Sequence, residues 1–97
     1  MTKEDILKIL HQHLPYMKER YGLQSIALFG SFAKDKATKE SDIDFLVELE
    51  KPFAKNYFGL LVFLEKKLAN SIGLVRKGEH TDAKFFSSIK EDLIYAG

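Results

Sequence analysis

Apolar residues in the first part of the chain recur at Ile6, Leu10, Leu14, Met17 and Tyr21, three or four apart, with polar and charged residues between them. That spacing is the period of an amphipathic helix with one buried stripe. Thr2 stands where an N-cap accepts a free amide, and Asp5 falls at the third helical position, the reciprocal place in a capping box. Tyr21-Gly22 closes the helix. Pro15 lies inside the pattern, removes an internal hydrogen bond and predicts a kink or split near the middle.

The period then changes. "LQSIALF" at 23–29 is short, apolar and flanked by glycines, which predicts a buried strand ended by Gly30. "KDKATKES" at 34–41 reads as a surface loop after a helical turn begun at Ser31, and "IDFLVEL" reads as a second strand. Lys51-Pro52 breaks it. From Tyr57, Leu60, Leu61, Leu64 and Leu68 predict a second amphipathic helix, with Asn70 and Gly73 around its exit. "SIGLV" at 71–75 predicts a third strand, and after "RKGEHT" a last helix from about Asp82 turns Phe86, Ile89 and Leu93 inward. The order α-β-β-α-β-α predicts an α/β (α+β) fold, a small mixed sheet with helices packed against it.

Composition narrows the classes. A length of 97 residues allows a single domain, 1–97, with one modest core, and 45% hydrophobic with 30% charged content is that of a folded globular chain. The formal net charge of +1 offers phosphate backbones no general attraction, so no direct nucleic-acid binding is expected. The absence of cysteine excludes disulfides and thiolate metal sites. No basic-then-apolar leader and no apolar run near the roughly 20 residues of a membrane span is present, so a cytoplasmic protein without membrane contact is expected. His11 and His13 face different ways on their helix, and His80 lacks ligand spacing, so no histidine metal site is expected.

The candidate chemistry lies between the first two strands. Asp42 and Asp44 are two apart, so on a strand they share one face, about 6–7 Å from each other, while Ile43, Phe45 and Val47 take the other face. A second carboxylate beside a partly buried first one compounds the cost of charge, and a divalent cation such as Mg²⁺ relieves it. Gly30 and Ser31, directly after a buried strand, let backbone N–H groups approach a phosphate closely. Carboxylates holding metal against a phosphate chain are what phosphoryl and nucleotidyl transfer require. The lysines of the loops, Lys36, Lys39, Lys51 and Lys55, read as solvated charge, whereas Lys34 stands close enough to the turn to join it. Tyr57, Phe58 and Tyr95 are candidates for a partner surface.

Gly30-Ser31, ten residues, then Asp42-x-Asp44 resembles the GS-x10-DxD signature of the nucleotidyltransferase superfamily related to DNA polymerase beta, and within it the minimal nucleotidyltransferase (MNT) domains. The likeness extends over "ERYG", "ALFGSFA", "SDIDFLVEL", "GLV" and the terminal "IYAG". It implies that ATP is bound with Mg²⁺, two ions in number, that AMP moves to a hydroxyl and that pyrophosphate leaves. Asp42 and Asp44 would be the catalytic metal ligands, and Gly30, Ser31 and Lys34 the nucleotide-binding residues. It further implies an antitoxin acting on a HEPN-domain toxin, which it adenylylates in a hetero-oligomer.

The chain departs from that family in two places. Where the family carries a third carboxylate, in a stretch like "VDLV", this chain has Gly73, and after the Gly-Ser turn Lys34 replaces an arginine, losing bidentate phosphate contact. Losing a general base alone costs about 10²–10⁴ in rate. Glu48, roughly 13 Å along the strand, is too far to substitute, and Glu79 or Asp82 would serve only if their loop folds back. Gly73 also fits a bulge or a close helix approach. The alternative is therefore a degenerate antitoxin or nucleotide-binding subunit that neutralises its partner by binding alone.

Overall fold

Thr2 caps the first helix as its position predicts. In the computed structural model, which describes residues 1–78 and 83–97, its hydroxyl accepts the Asp5 amide at 3.2 Å and its own amide donates to the Asp5 carboxylate at 2.9 Å. That donated bond holds the Asp5 carboxyl below its ordinary range. Thr2→Ala should cost about 1 kcal/mol in denaturant unfolding, the usual loss of an N-cap oxygen. The helix, α1 (Lys3–Tyr21), ends on Gly22 at φ 64°, whose N–H reaches the Met17 carbonyl. It is not split at Pro15. The proline lies on the exposed side of the helix, where a carbonyl left without its N–H partner faces solvent rather than the core.

The remaining elements are β1 (Leu23–Phe29), β2 (Ile43–Leu49), α2 (Phe53–Leu68), β3 (Ile72–Arg76), α3 (Ala83–Ile89) and β4 (Ile94–Tyr95). The sheet order is β3-β2-β1-β4. β1 is antiparallel to β2 and β4, whereas β2 and β3 are parallel, with α2 as the crossover between them. This is the mixed sheet of an α+β fold. One sheet face, bearing Ile26, Leu28, Phe45 and Val47, packs on the buried stripes of α1 and α2 to form the core. The opposite face carries Ala27, Phe29, Asp44 and Leu46, and the Phe85 ring of α3 meets the Phe29 ring edge-on at 6.0 Å.

Three elements differ from expectation. α2 starts at Phe53, about one turn ahead of the expected start at Tyr57, because the chain is already helical once Pro52 has ended the preceding extended segment. α3 stops at Ile89, so Leu93 is not helical, and the expected start near Asp82 lies outside the described residues. β4 is an additional strand, held on β1 by pairing of Ala27 with Tyr95 and Leu28 with Ile94. On the other edge, the Tyr57 hydroxyl donates to the Leu74 carbonyl of β3 and so occupies an edge acceptor. Tyr57 is therefore half-buried, while Phe58 and Tyr95 are exposed. Among the described residues no helix is long and apolar enough to cross a membrane.

Candidate nucleotide and metal site

β1 delivers the chain to Gly30, where φ is 79°, a left-handed value that favours glycine. A single helical turn follows from Ser31. Lys34 N–H donates to the Gly30 carbonyl at 3.2 Å, and the turn closes with Asp35 N–H on Phe32 and Lys36 N–H on Ser31. With Asp35 at φ 58° this is a Schellman closure. Phe32 and Ala33 are buried in the core and pin the turn. The amides of Ser31, Phe32 and Ala33 precede the first turn bond, the place where helical N–H groups are open to an anion.

β2 brings in the carboxylates. Asp44 pairs with Phe29 on one side and with Gly73 on the other. Its carboxylate lies in a slot between two glycines: a Cβ on Gly30 would fall 2.3 Å from Oδ2, and a Cβ on Gly73 would fall 2.4 Å from Oδ1. The slot exists only because both positions lack a side chain. Burial pushes the Asp44 carboxyl up from its ordinary value, and the neighbouring charge of Asp42 adds to the rise. Asp42 is exposed and sits one residue ahead of the strand, which begins at Ile43. Two mutually repelling carboxylates, one of them in a slot, are a donor set that a hard divalent cation fits.

Gly30, Ser31, Asp42 and Asp44 are thus gathered at one end of the β1–β2 pair. The Lys34 ammonium is instead engaged by Asp92, at 3.5 Å. Nothing in the sequence pattern signals Asp92, which approaches through the segment between α3 and β4. Glu48 is already engaged, by the Ser25 hydroxyl at 3.1 Å and the Lys77 ammonium at 3.4 Å. Among the described residues no three carboxylate or histidine groups cluster as a metal site, and Glu79 and Asp82 lie outside them. Because the Asp44 carboxyl is raised, acidification should weaken Mn²⁺ binding from above the ordinary aspartate pKa of about 3.9, as an ion titration repeated at falling pH would measure.

A mixed sheet with a β-α-β crossover, a glycine-led turn and a carboxylate slot at one strand end make this an α+β domain whose candidate site lies at the end of the β1–β2 pair. The nucleotidyltransferase domain family matches residues 10–96, and the chain belongs to that family. It is 40% identical over 97 residues, 97% of each chain, to a candidate protein adenylyltransferase of Methanocaldococcus jannaschii. A second protein of that organism with the same kind of name is 42% identical over 95 residues, again 97% of each chain. Protein adenylyltransferase MntA of Thermococcus cleftensis is 36% identical over 78 residues, 79% of each chain.

Proposed function

We propose that the protein is an adenylyltransferase of MNT type that uses Mg-ATP to place AMP on a hydroxyl, a tyrosine of a HEPN-domain toxin, and so serves as its cytoplasmic antitoxin. The observation that carries this reading is the Asp44 carboxylate held in a two-glycine slot beside Asp42 and next to the Gly30-Ser31 turn. The adenylyltransferase names of its relatives support the same chemistry.

Asp42 and Asp44 would hold the divalent cation, which when bound neutralises charge on the triphosphate. The Ser31 hydroxyl and the leading amides of the turn hold phosphate oxygens, and Lys34 adds a positive charge at their edge. The acceptor oxygen bonds to the α-phosphorus as the bond to the bridging oxygen breaks, so that pyrophosphate leaves with the bonding electron pair and the hydroxyl proton passes to solvent. The test incubates the protein and its HEPN partner with Mg²⁺ and ATP labelled at the α-phosphate. Label on a partner tyrosine is expected, and its absence under conditions where calorimetry detects Mg-ATP binding would remove the transferase reading.

A second reading is favoured by the lack of a third carboxylate at the slot among the described residues. The chain then neutralises its partner by contact alone. An Asp42→Ala, Asp44→Ala double variant that protected cells from the toxin as well as the unaltered protein would select it.

A further inference from the structure

The glycine at position 73 has none of the usual causes of a strand glycine. Its φ lies outside the left-handed range, so the backbone does not demand it. The β2–β3 register runs without interruption from Ile43 opposite Ile72 to Val47 opposite Arg76, so it marks no bulge. Among the described residues no helix presses on it either. The three atoms nearest to an added Cβ, chain neighbours aside, all belong to Asp44, with Oδ1 at 2.4 Å and Cγ at 3.5 Å. Space for one carboxylate is what the missing side chain supplies.

We propose that Gly73 is a positioning residue: it cedes its Cβ space to the Asp44 carboxylate, and it thereby sets the acidic slot, before nucleotide binds, to hold one divalent cation and not two. The inference rests on the reading of Asp42 and Asp44 as cation ligands. Paired ions in two-metal sites stand about 3.5–4 Å apart and bring four positive charges, against two negative ones from Asp42 and Asp44 in the nucleotide-free chain. Position 73 adjoins Asp44 in register yet offers no oxygen. Glu48, on the same face, is turned to Ser25 and Lys77. A side chain at position 73 displaces Oδ1 from the place it occupies beside Gly73.

The test is an Mn²⁺ titration of the full chain, followed by electron paramagnetic resonance of the free ion, for the unaltered protein, Gly73→Ala and Asp44→Asn. One bound ion per chain is expected, weakened at least tenfold by Gly73→Ala and abolished by Asp44→Asn. Two ions per chain, or a pair of spin-coupled ions, would overturn the inference while leaving the cation site standing. Unchanged affinity in Gly73→Ala would overturn it in the same way. Failure of the unaltered protein to bind Mn²⁺, or indifference to Asp44→Asn, would instead remove the underlying reading and the inference with it. If Gly73→Ala folds poorly, its melting temperature is compared in the unaltered and Asp44→Ala backgrounds. The loss should vanish when Asp44 is truncated, and an equal loss in both backgrounds would overturn the positioning role.

Discussion

Asp44→Asn is expected to raise the melting temperature at pH 7 while lowering AMP transfer about 10²–10³-fold, the scale of losing one preorganised electrostatic contact to the reacting groups. The two effects have one origin. Asp44 holds its proton more tightly in the folded chain than an ordinary aspartate does, through burial first and the Asp42 charge second. A raised carboxyl favours the fold fully below the unfolded value of about 3.9, and that contribution is lost as pH rises through the folded value. At pH 7 the folded protein therefore carries the whole penalty of the ionised form. Asparagine fills the same slot without the charge and removes the penalty. The gain is modest, because the group is only half-buried and water screens it. Melting curves at pH 7 and pH 3 check the sign: the variant should be the more stable at pH 7, with the gain gone at pH 3. A variant less stable than the unaltered protein at pH 7, or one with full transfer, would show that this carboxylate is not a strained ligand. Saturating Mn²⁺ should reverse the order at pH 7 by stabilising only the unaltered chain.

Strain of this kind marks where local rules are overridden. Ile43, Phe45 and Val47 behave as a strand pattern dictates and are fully buried, while Asp44 between them accepts an electrostatic cost on the other face. The turn at Ser31 is held rigidly by Phe32 and Ala33 in the core, so the part that faces a phosphate is positioned by the hydrophobic effect. Preorganisation is thus bought from the core and spent at the site.

The elements legible in the sequence were those with strong boundaries. β1 has glycines at both ends and a continuous apolar run, and its bounds, Leu23–Phe29, are those the run predicts. α1 has a capping box at one end and a left-handed glycine at the other, signals strong enough to outweigh the proline within it. β4 was not legible, since two residues have no period and their strand state comes from pairing with β1. Leu93 followed the helical spacing of Phe86 and Ile89, and the chain leaves the helix before reaching it. At the site, the spacing of Gly30-Ser31 and Asp42-x-Asp44 pointed to the two strand ends that the fold brings together. The relation of Asp44 to Gly73 was hidden, because the register that sets them side by side is decided by the α2 crossover and the parallel pairing. The pairing of Lys34 with Asp92 was hidden for the same reason.

Gly30→Ala is expected to do more damage to function than any other single methyl group added to the chain. Alanine at φ 79° costs roughly 1–2 kcal/mol in backbone energy. The new Cβ would also stand 2.3 Å from Asp44 Oδ2, so the carboxylate must leave its slot or the Gly-Ser turn must shift. Either movement separates groups that need to face one substrate, and a displacement near 1 Å is enough for about a 10²-fold loss of rate. Gly22→Ala is the matched control. That position has a similar φ of 64°, and its added Cβ would meet Glu50 Cβ at 3.0 Å and Asn56 Nδ2 at 3.1 Å, neither of them part of the Asp42–Asp44 site. The two variants should therefore lose similar stability in urea unfolding, while only Gly30→Ala loses Mn²⁺ affinity and AMP transfer. If both variants bound Mn²⁺ equally well, the slot between the glycines would not be what holds Asp44 in place for a cation.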